Sequence, residues 1–146
     1  MKIGLARRAG PDAGWDSVHY PENFRYTKEH QWVDASGGAA TIGITHHAQE
    51  QLGDIVYVDL PKPGFAITQG ETFGSVESVK AVSDIFAPVS GEVVEVNGEL
   101  GQKPEIVNQD PYGKGWMLLI TPSGAKDIEQ LLTAAQYEEF LAQGSH

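Results

Sequence analysis

The chain has 146 residues, 40% of them hydrophobic, which is enough to bury one core and makes a single domain the natural expectation. Its formal net charge of −10, with neither a basic stripe nor an aromatic-plus-basic pattern, argues against nucleic-acid binding, because phosphate recognition needs clustered Lys and Arg. Cysteine is absent, which removes disulfides, thiol nucleophiles and cysteine metal sites together and suits a reducing compartment, and no apolar run approaches the ~18 to 20 residues that cross a membrane.

The N-terminal segment starts basic, with Lys2, Arg7 and Arg8, yet its apolar part is too short and broken for a secretory signal. Asp12 and Asp16 are unlike an organellar transit peptide. With Gly10, Pro11, Gly14 and Pro21, residues 1–23 are expected to form a mobile extension, or to reflect an upstream start, ahead of a domain over 24–146.

From Phe24 onward, short strand-like runs are punctuated by Gly and Pro, which predicts a compact β architecture rather than a βαβ sheet. His30 to Val33 and Ala39 to Ile44 read as two strands joined across Ala35-Ser36-Gly37-Gly38. Thr45 is placed to cap a short helix over His46 to Leu52 that Gly53 closes. Ile55 to Leu60 reads as a strand with Ile55, Tyr57 and Asp59 on one side and Val56, Val58 and Leu60 on the other.

Thr72, Phe73, Val76 and Val79 precede Lys80, and Val82, Ile85 and Phe86 follow it, so this stretch reads as strand, turn, strand with Gly70 and Gly91 supplying flanking turns. Glu92 to Val96 and Trp116 to Thr121 continue the series of strands. Ile128, Leu131 and Leu132 have helical spacing, and Thr133-Ala134-Ala135-Gln136 matches a capping box that opens a second helix with Tyr137, Phe140 and Leu141. Two short C-terminal helices covering the sheets are expected.

Most familiar chemistries find no support. His46 and His47 are adjacent with Glu50 nearby, but neighbours on a helix point about 100° apart, whereas metalloprotease histidines stand at i and i+4. They read as surface histidines, with His19, His30 and His146 scattered. Gly113-Lys114-Gly115 lacks phosphate-loop spacing and no G-x-G-x-x-G follows a strand. The many carboxylates read as a solvated acidic face. Lys80 remains: at a hairpin tip its ammonium reaches solvent, as an ordinary turn lysine or as one offered to another enzyme for modification. No acid or base in its run is arranged to make the lysine itself catalytic.

Glu77-Ser78-Val79-Lys80-Ala81 with Ser83-Asp84 resembles the lipoylation motif of the glycine cleavage H-protein family. Further blocks match in order: Tyr26-Thr27-Lys28-Glu29-His30-Gln31-Trp32-Val33, Thr41-Ile42-Gly43-Ile44-Thr45, Leu52-Gly53-Asp54-Ile55-Val56-Tyr57-Val58, and Leu60-Pro61. After the lysine come Pro88-Val89-Ser90-Gly91-Glu92-Val93, Asn108 with Pro111-Tyr112, and Gly115-Trp116-Met117, so the similarity runs from about Phe24 to Leu141.

The resemblance implies a mainly β fold: a flattened barrel or sandwich of two antiparallel sheets, the biotinyl and lipoyl carrier architecture, with a short internal helix and C-terminal helices. It implies a non-catalytic carrier with lipoic acid joined to Lys80 through an amide. The arm would take an aminomethyl group from glycine at the decarboxylating P-protein (glycine decarboxylase), carry it to the tetrahydrofolate-dependent T-protein (aminomethyltransferase), and be reoxidised by the L-protein (dihydrolipoamide dehydrogenase). Glu77 would help a lipoylating enzyme recognise the site, and Asp84 matches a family position near the docked arm. Gln31 departs from the family, which commonly has Glu there, so no electrostatic part in holding the arm is expected of it.

A biotinyl carrier would share the fold, but its lysine usually lies between methionines, whereas Val79 and Ala81 flank Lys80. Lipoyl domains of 2-oxo-acid dehydrogenases usually carry Asp before the lysine and lack the Gly115-Trp116 block. An H-like protein relaying lipoyl groups to other enzymes, or an unmodified paralogue, has no distinguishing mark around Lys80. A bacterial cytoplasm is the expected setting, with the mitochondrial matrix as the alternative.

Overall fold

The computed structural model describes residues 20–35 and 38–143. Among the described residues, nine strands form two antiparallel sheets: β1 (Arg25–Tyr26), β2 (Gln31–Asp34), β3 (Ala40–Ile44), β4 (Ile55–Asp59), β5 (Ala66–Ile67), β6 (Thr72–Ser78), β7 (Val82–Phe86), β8 (Gly91–Val96) and β9 (Leu118–Pro122). Six of them are ordered β1-β2-β3-β9-β8-β5, and the other three β4-β6-β7. The expected two-sheet sandwich is therefore present. Val33, Ile42, Val93, Leu118 and Ile120 from the larger sheet and Val58, Val76 and Ile85 from the smaller one meet in one buried core. Burial of such aliphatic side chains, ~1.5–3 kcal/mol each, is the main force holding the sheets face to face.

β2 is covered on both faces, so its residues do not alternate between inside and outside. Val33 enters the main core, while Trp32 joins a second cluster with Tyr20, Phe24, Tyr26, Ala134 and Tyr137. Gly43, opposite Trp32, leaves room for the indole: a Cβ there would lie 2.7 Å from the ring. Trp32 Nε1 donates to Pro111 O at 3.0 Å, and the Tyr137 hydroxyl lies 2.8 Å from Thr45 Oγ1 and 2.7 Å from His30 Nδ1. Burial raises the pKa of all four tyrosines that meet here, with Tyr20 pushed up to about 12 and Tyr26, Tyr112 and Tyr137 further in the same direction. Tyr20 and Pro21 thus pack on the domain, while residues 1–19 of the expected extension lie outside the described residues.

The helix signals correspond to real caps. Thr45 Oγ1 accepts from Ala48 N at 3.2 Å to open α1 (His46–Leu52), and Gly53, with φ 82, ends it. Thr133 and Gln136 form the reciprocal capping box of α4 (Ala134–Ala142), whose Tyr137 is buried against the larger sheet's aromatic face.

Several expectations need correction. Leu131 and Leu132 lie beyond α3 (Ala125–Glu129); Leu132 instead bridges Tyr26, with N–O distances of 2.8 and 2.9 Å, because its backbone completes the short edge strand β1. In β4, a bulge between Ile55 and Tyr57 breaks strict alternation, so Ile55 and Val58 are buried while Val56 and Tyr57 are exposed. Gly70 does sit in a turn with φ 86, but Gly91 begins β8, where a Cβ would collide with the Thr121 carbonyl. His46 and His47 are half-buried rather than fully exposed, and the His47 ring lies 4.5 Å from that of His30, which packs on Tyr137 of α4. The 3₁₀ turn Gly98–Gly101 and α2 (Ile106–Gln109) had no sequence signal strong enough to place them.

Candidate functional site

β6 and β7 form a hairpin in which Glu77 lies opposite Val82, leaving Val79, Lys80 and Ala81 at the tip. Ser78 closes it. Its amide donates to Ala81 O at 2.8 Å, its buried Oγ accepts from the amides of Ala81 at 3.1 Å and Lys80 at 3.3 Å, and it also contacts Ala81 O at 3.3 Å. A serine hydroxyl that satisfies tip amides does the work of a local turn motif, which explains why a β-rich stretch reverses here. Lys80 is exposed, and among the described residues its ammonium carries no ion pair.

The tip leans on the junction between α1 and β4. Val79 N donates to Asp54 O at 3.1 Å, and a Cβ on Gly53 would lie 3.8 Å from Lys80 Cε. Gly53 combines φ 82 with ψ −155, a backbone region open essentially to glycine alone. The lysine stem therefore crosses a surface without a side chain, and the residue is exposed.

Directly opposed residues share a face of a sheet, as do residues two apart. Tyr57, Glu77 and Val82 form one outward row across the small sheet, and Asp59, Ser75 and Asp84 the next. Glu77 and Asp84 are thus brought to the same exposed face, beside an apolar fringe of Tyr57, Val79 and Val82 that is 54%, 71% and 67% exposed. Gln31 is not part of this face. It is buried in the larger sheet, where Oε1 accepts from Thr27 Oγ1 at 2.6 Å and Nε2 donates to Glu29 O at 3.0 Å. Its amide is committed to the β1–β2 turn.

An exposed, unpaired primary amine on a rigid hairpin, over a bare glycine, suits covalent attachment of a long acyl group. The geometry at Lys80 provides an anchor and clearance, and among the described residues no acid or base is shown in contact with its amine. Ser78, Gly53 and Asp54 belong to the site, yet the sequence marked only Gly53, and that as the end of a helix; the serine's place two residues before the lysine could have suggested its role. Among the described residues, no cluster of His, Cys, Asp and Glu is suited to hold a metal ion, and no helix is long and apolar enough to cross a membrane.

Comparison with known proteins shows the family and the fold. A family model described as "Glycine cleavage H-protein" matches residues 24–144. The chain is 56% identical over 119 residues to the glycine cleavage system H protein of Bacillus subtilis, covering 82% of this chain and 94% of the relative. It is 54% identical over 124 residues to that of Anaeromyxobacter sp. (strain K), covering 85% and 97%. A crystal structure of a glycine cleavage system H protein from Mycobacterium marinum superposes with a TM-score of 0.76 at 39% identity, over 87% of this chain and 100% of the other.

Proposed function

The chain belongs to the glycine cleavage H-protein family, and from that premise we propose that Lys80 is the attachment point of a lipoyl group and that the protein is the lipoyl carrier of a glycine cleavage system. The observation that carries this reading is the exposed Lys80 at the tip of a hairpin closed by Ser78, within a chain of this family. Attachment requires the neutral amine: Lys80 Nζ bonds to the carbonyl carbon of an activated lipoyl adenylate, the carbon–oxygen bond to AMP breaks, and the amine loses a proton. The product is an amide without the ammonium charge.

Once attached, the group supplies a dithiolane on a long flexible arm, able to carry a one-carbon fragment of glycine between active sites. The protein's own residues orient and tether it. Ser78 and the Gly53–Asp54 junction fix where the arm leaves the fold. Glu77 presents a carboxylate on the face that a lipoylating enzyme would meet. Asp84, further down the same face, offers a carboxylate to an amine carried by the arm. Gln31, neutral and engaged by Thr27 and Glu29, leaves that electrostatic role to others.

The partners that follow are the P-protein, T-protein and L-protein, with the lipoylating enzyme acting first. A tethered arm keeps its cargo at high effective concentration for each of them. Because the relatives named above are bacterial, the proposed setting is a bacterial cytoplasm. The function is tested by reconstitution: lipoylated protein with the three partners should support glycine decarboxylation. A modified protein that fails to do so would favour a role in relaying lipoyl groups to other enzymes.

A further inference from the structure

We propose that Asn108 is a positioning residue for Lys80, holding the hairpin tip through the α1–β4 junction; the inference rests on the reading of Lys80 as the attachment point. Asn108 lies on α2, far from the lysine in sequence, and all of its amide groups point at that junction. Oδ1 accepts from Ile55 N at 2.9 Å, and Nδ2 donates to Gly53 O at 2.8 Å and to Gln49 Oε1 at 3.0 Å. Both amide hydrogens and the carbonyl oxygen are therefore in use.

The bond to Ile55 N matters most. A peptide unit is planar, so Asp54 C=O and Ile55 N–H move as one rigid plate. Asn108 holds the N–H side of that plate, and the C=O side receives Val79 N at 3.1 Å. The neighbouring plate, carrying Gly53 O, is held by Nδ2. Gly53 itself lies under the Lys80 stem. A short physical chain thus runs from α2 through Asn108 and the residue 53–55 backbone to Val79, next to the lysine. Among the described residues, the tip beyond Ser78, which pairs with Ile55 in the β4–β6 ladder, makes no other backbone hydrogen bond outside the hairpin. Its direction therefore depends on the plate, and misplacing a reacting amine by ~1 Å can cost as much as 10²-fold in rate.

The test has two arms on the full chain. Amide exchange in the unmodified protein reads the tether directly. In Asn108→Ala, Val79 N–H should exchange at least tenfold faster relative to Met117 N–H, a core amide bonded to Ile42 O. Asn108→Asp keeps an acceptor for Ile55 N and should bring Val79 back towards the wild-type ratio. The second arm measures kcat/KM for lipoate transfer by a lipoate–protein ligase with ATP. Asn108→Ala should lose about tenfold, whereas Thr133→Ala, which weakens the α4 cap away from the hairpin, should stay at the wild-type value. A wild-type exchange ratio in Asn108→Ala, or equal transfer rates for Asn108→Ala and Thr133→Ala, would overturn the proposal. If wild type accepted no lipoyl group at all, the reading of Lys80 would fall, and the exchange arm would still decide the tether.

Discussion

Ser78 and Ala81 close the hairpin tip on each other, with Ser78 N bonded to Ala81 O at 2.8 Å and Ala81 N bonded to Ser78 Oγ at 3.1 Å. Ser78→Ala keeps the first bond and removes the hydroxyl that Lys80 N also uses. The loss should be about 1 kcal/mol, the usual net worth of one hydrogen bond in a folded protein. Urea unfolding should show it, and amide exchange at Lys80 and Ala81 should speed up. Unchanged exchange there would mean that the hydroxyl does not order the tip.

At Gly74 β6 runs close to β4, since a Cβ on it would run into the Asp59 carbonyl. Backbone cannot yield as a flexible side chain can. Gly74→Ala should therefore cost ~1–3 kcal/mol, the range for overpacking, and loosen the sheet that carries the lysine. Chemical denaturation measures the loss. Wild-type stability would show that β4 gives way freely.

The buried tyrosines set an alkaline limit. In the unfolded chain they ionise near pH 10, while in the folded protein burial raises Tyr20 to about 12 and the other three beyond it. Above pH 10 the unfolded state has lost protons that the folded state still holds, so stability falls as pH rises. Their contribution is complete below pH 10 and is lost as pH climbs through 12. Unfolding free energies measured from pH 8 to 12 should drop steeply over the last two units. A flat profile would contradict the buried phenol cluster.

Asp84 is exposed on the outer face of β7, so the hold proposed for it on a charged amine would be screened by water. An exposed ion pair is worth ~0.2–1 kcal/mol, which predicts that Asp84→Asn shortens the lifetime of an amine-bearing arm by about 1.4- to fivefold. The decay of glycine-derived carbon on lipoylated protein measures it. An equal lifetime in both proteins would remove Asp84 from that role.

What the sequence revealed follows from how local each cue is. The caps at Thr45 and Thr133 and the hairpin around Lys80 are encoded within a few residues and could be read directly. The aromatic cluster could not, because it joins Tyr20, Trp32, Tyr112 and Tyr137 from distant parts of the chain. The β4 bulge arises from pairing with β6 and leaves no period in the sequence. Asn108 is similar: its neighbours in sequence give no hint that its amide reaches residues 53 and 55. Gln31 shows the converse, a position singled out by its departure from a family pattern whose side chain is buried and hydrogen-bonded to Thr27 and Glu29.

The most direct measurement of the central claim is intact mass, before and after incubation with lipoate, ATP and a lipoate–protein ligase, for the wild-type chain and Lys80→Ala. One lipoyl adduct on the wild type and none on the variant is the predicted result. No adduct on the wild type, or an adduct that survives Lys80→Ala, would contradict it.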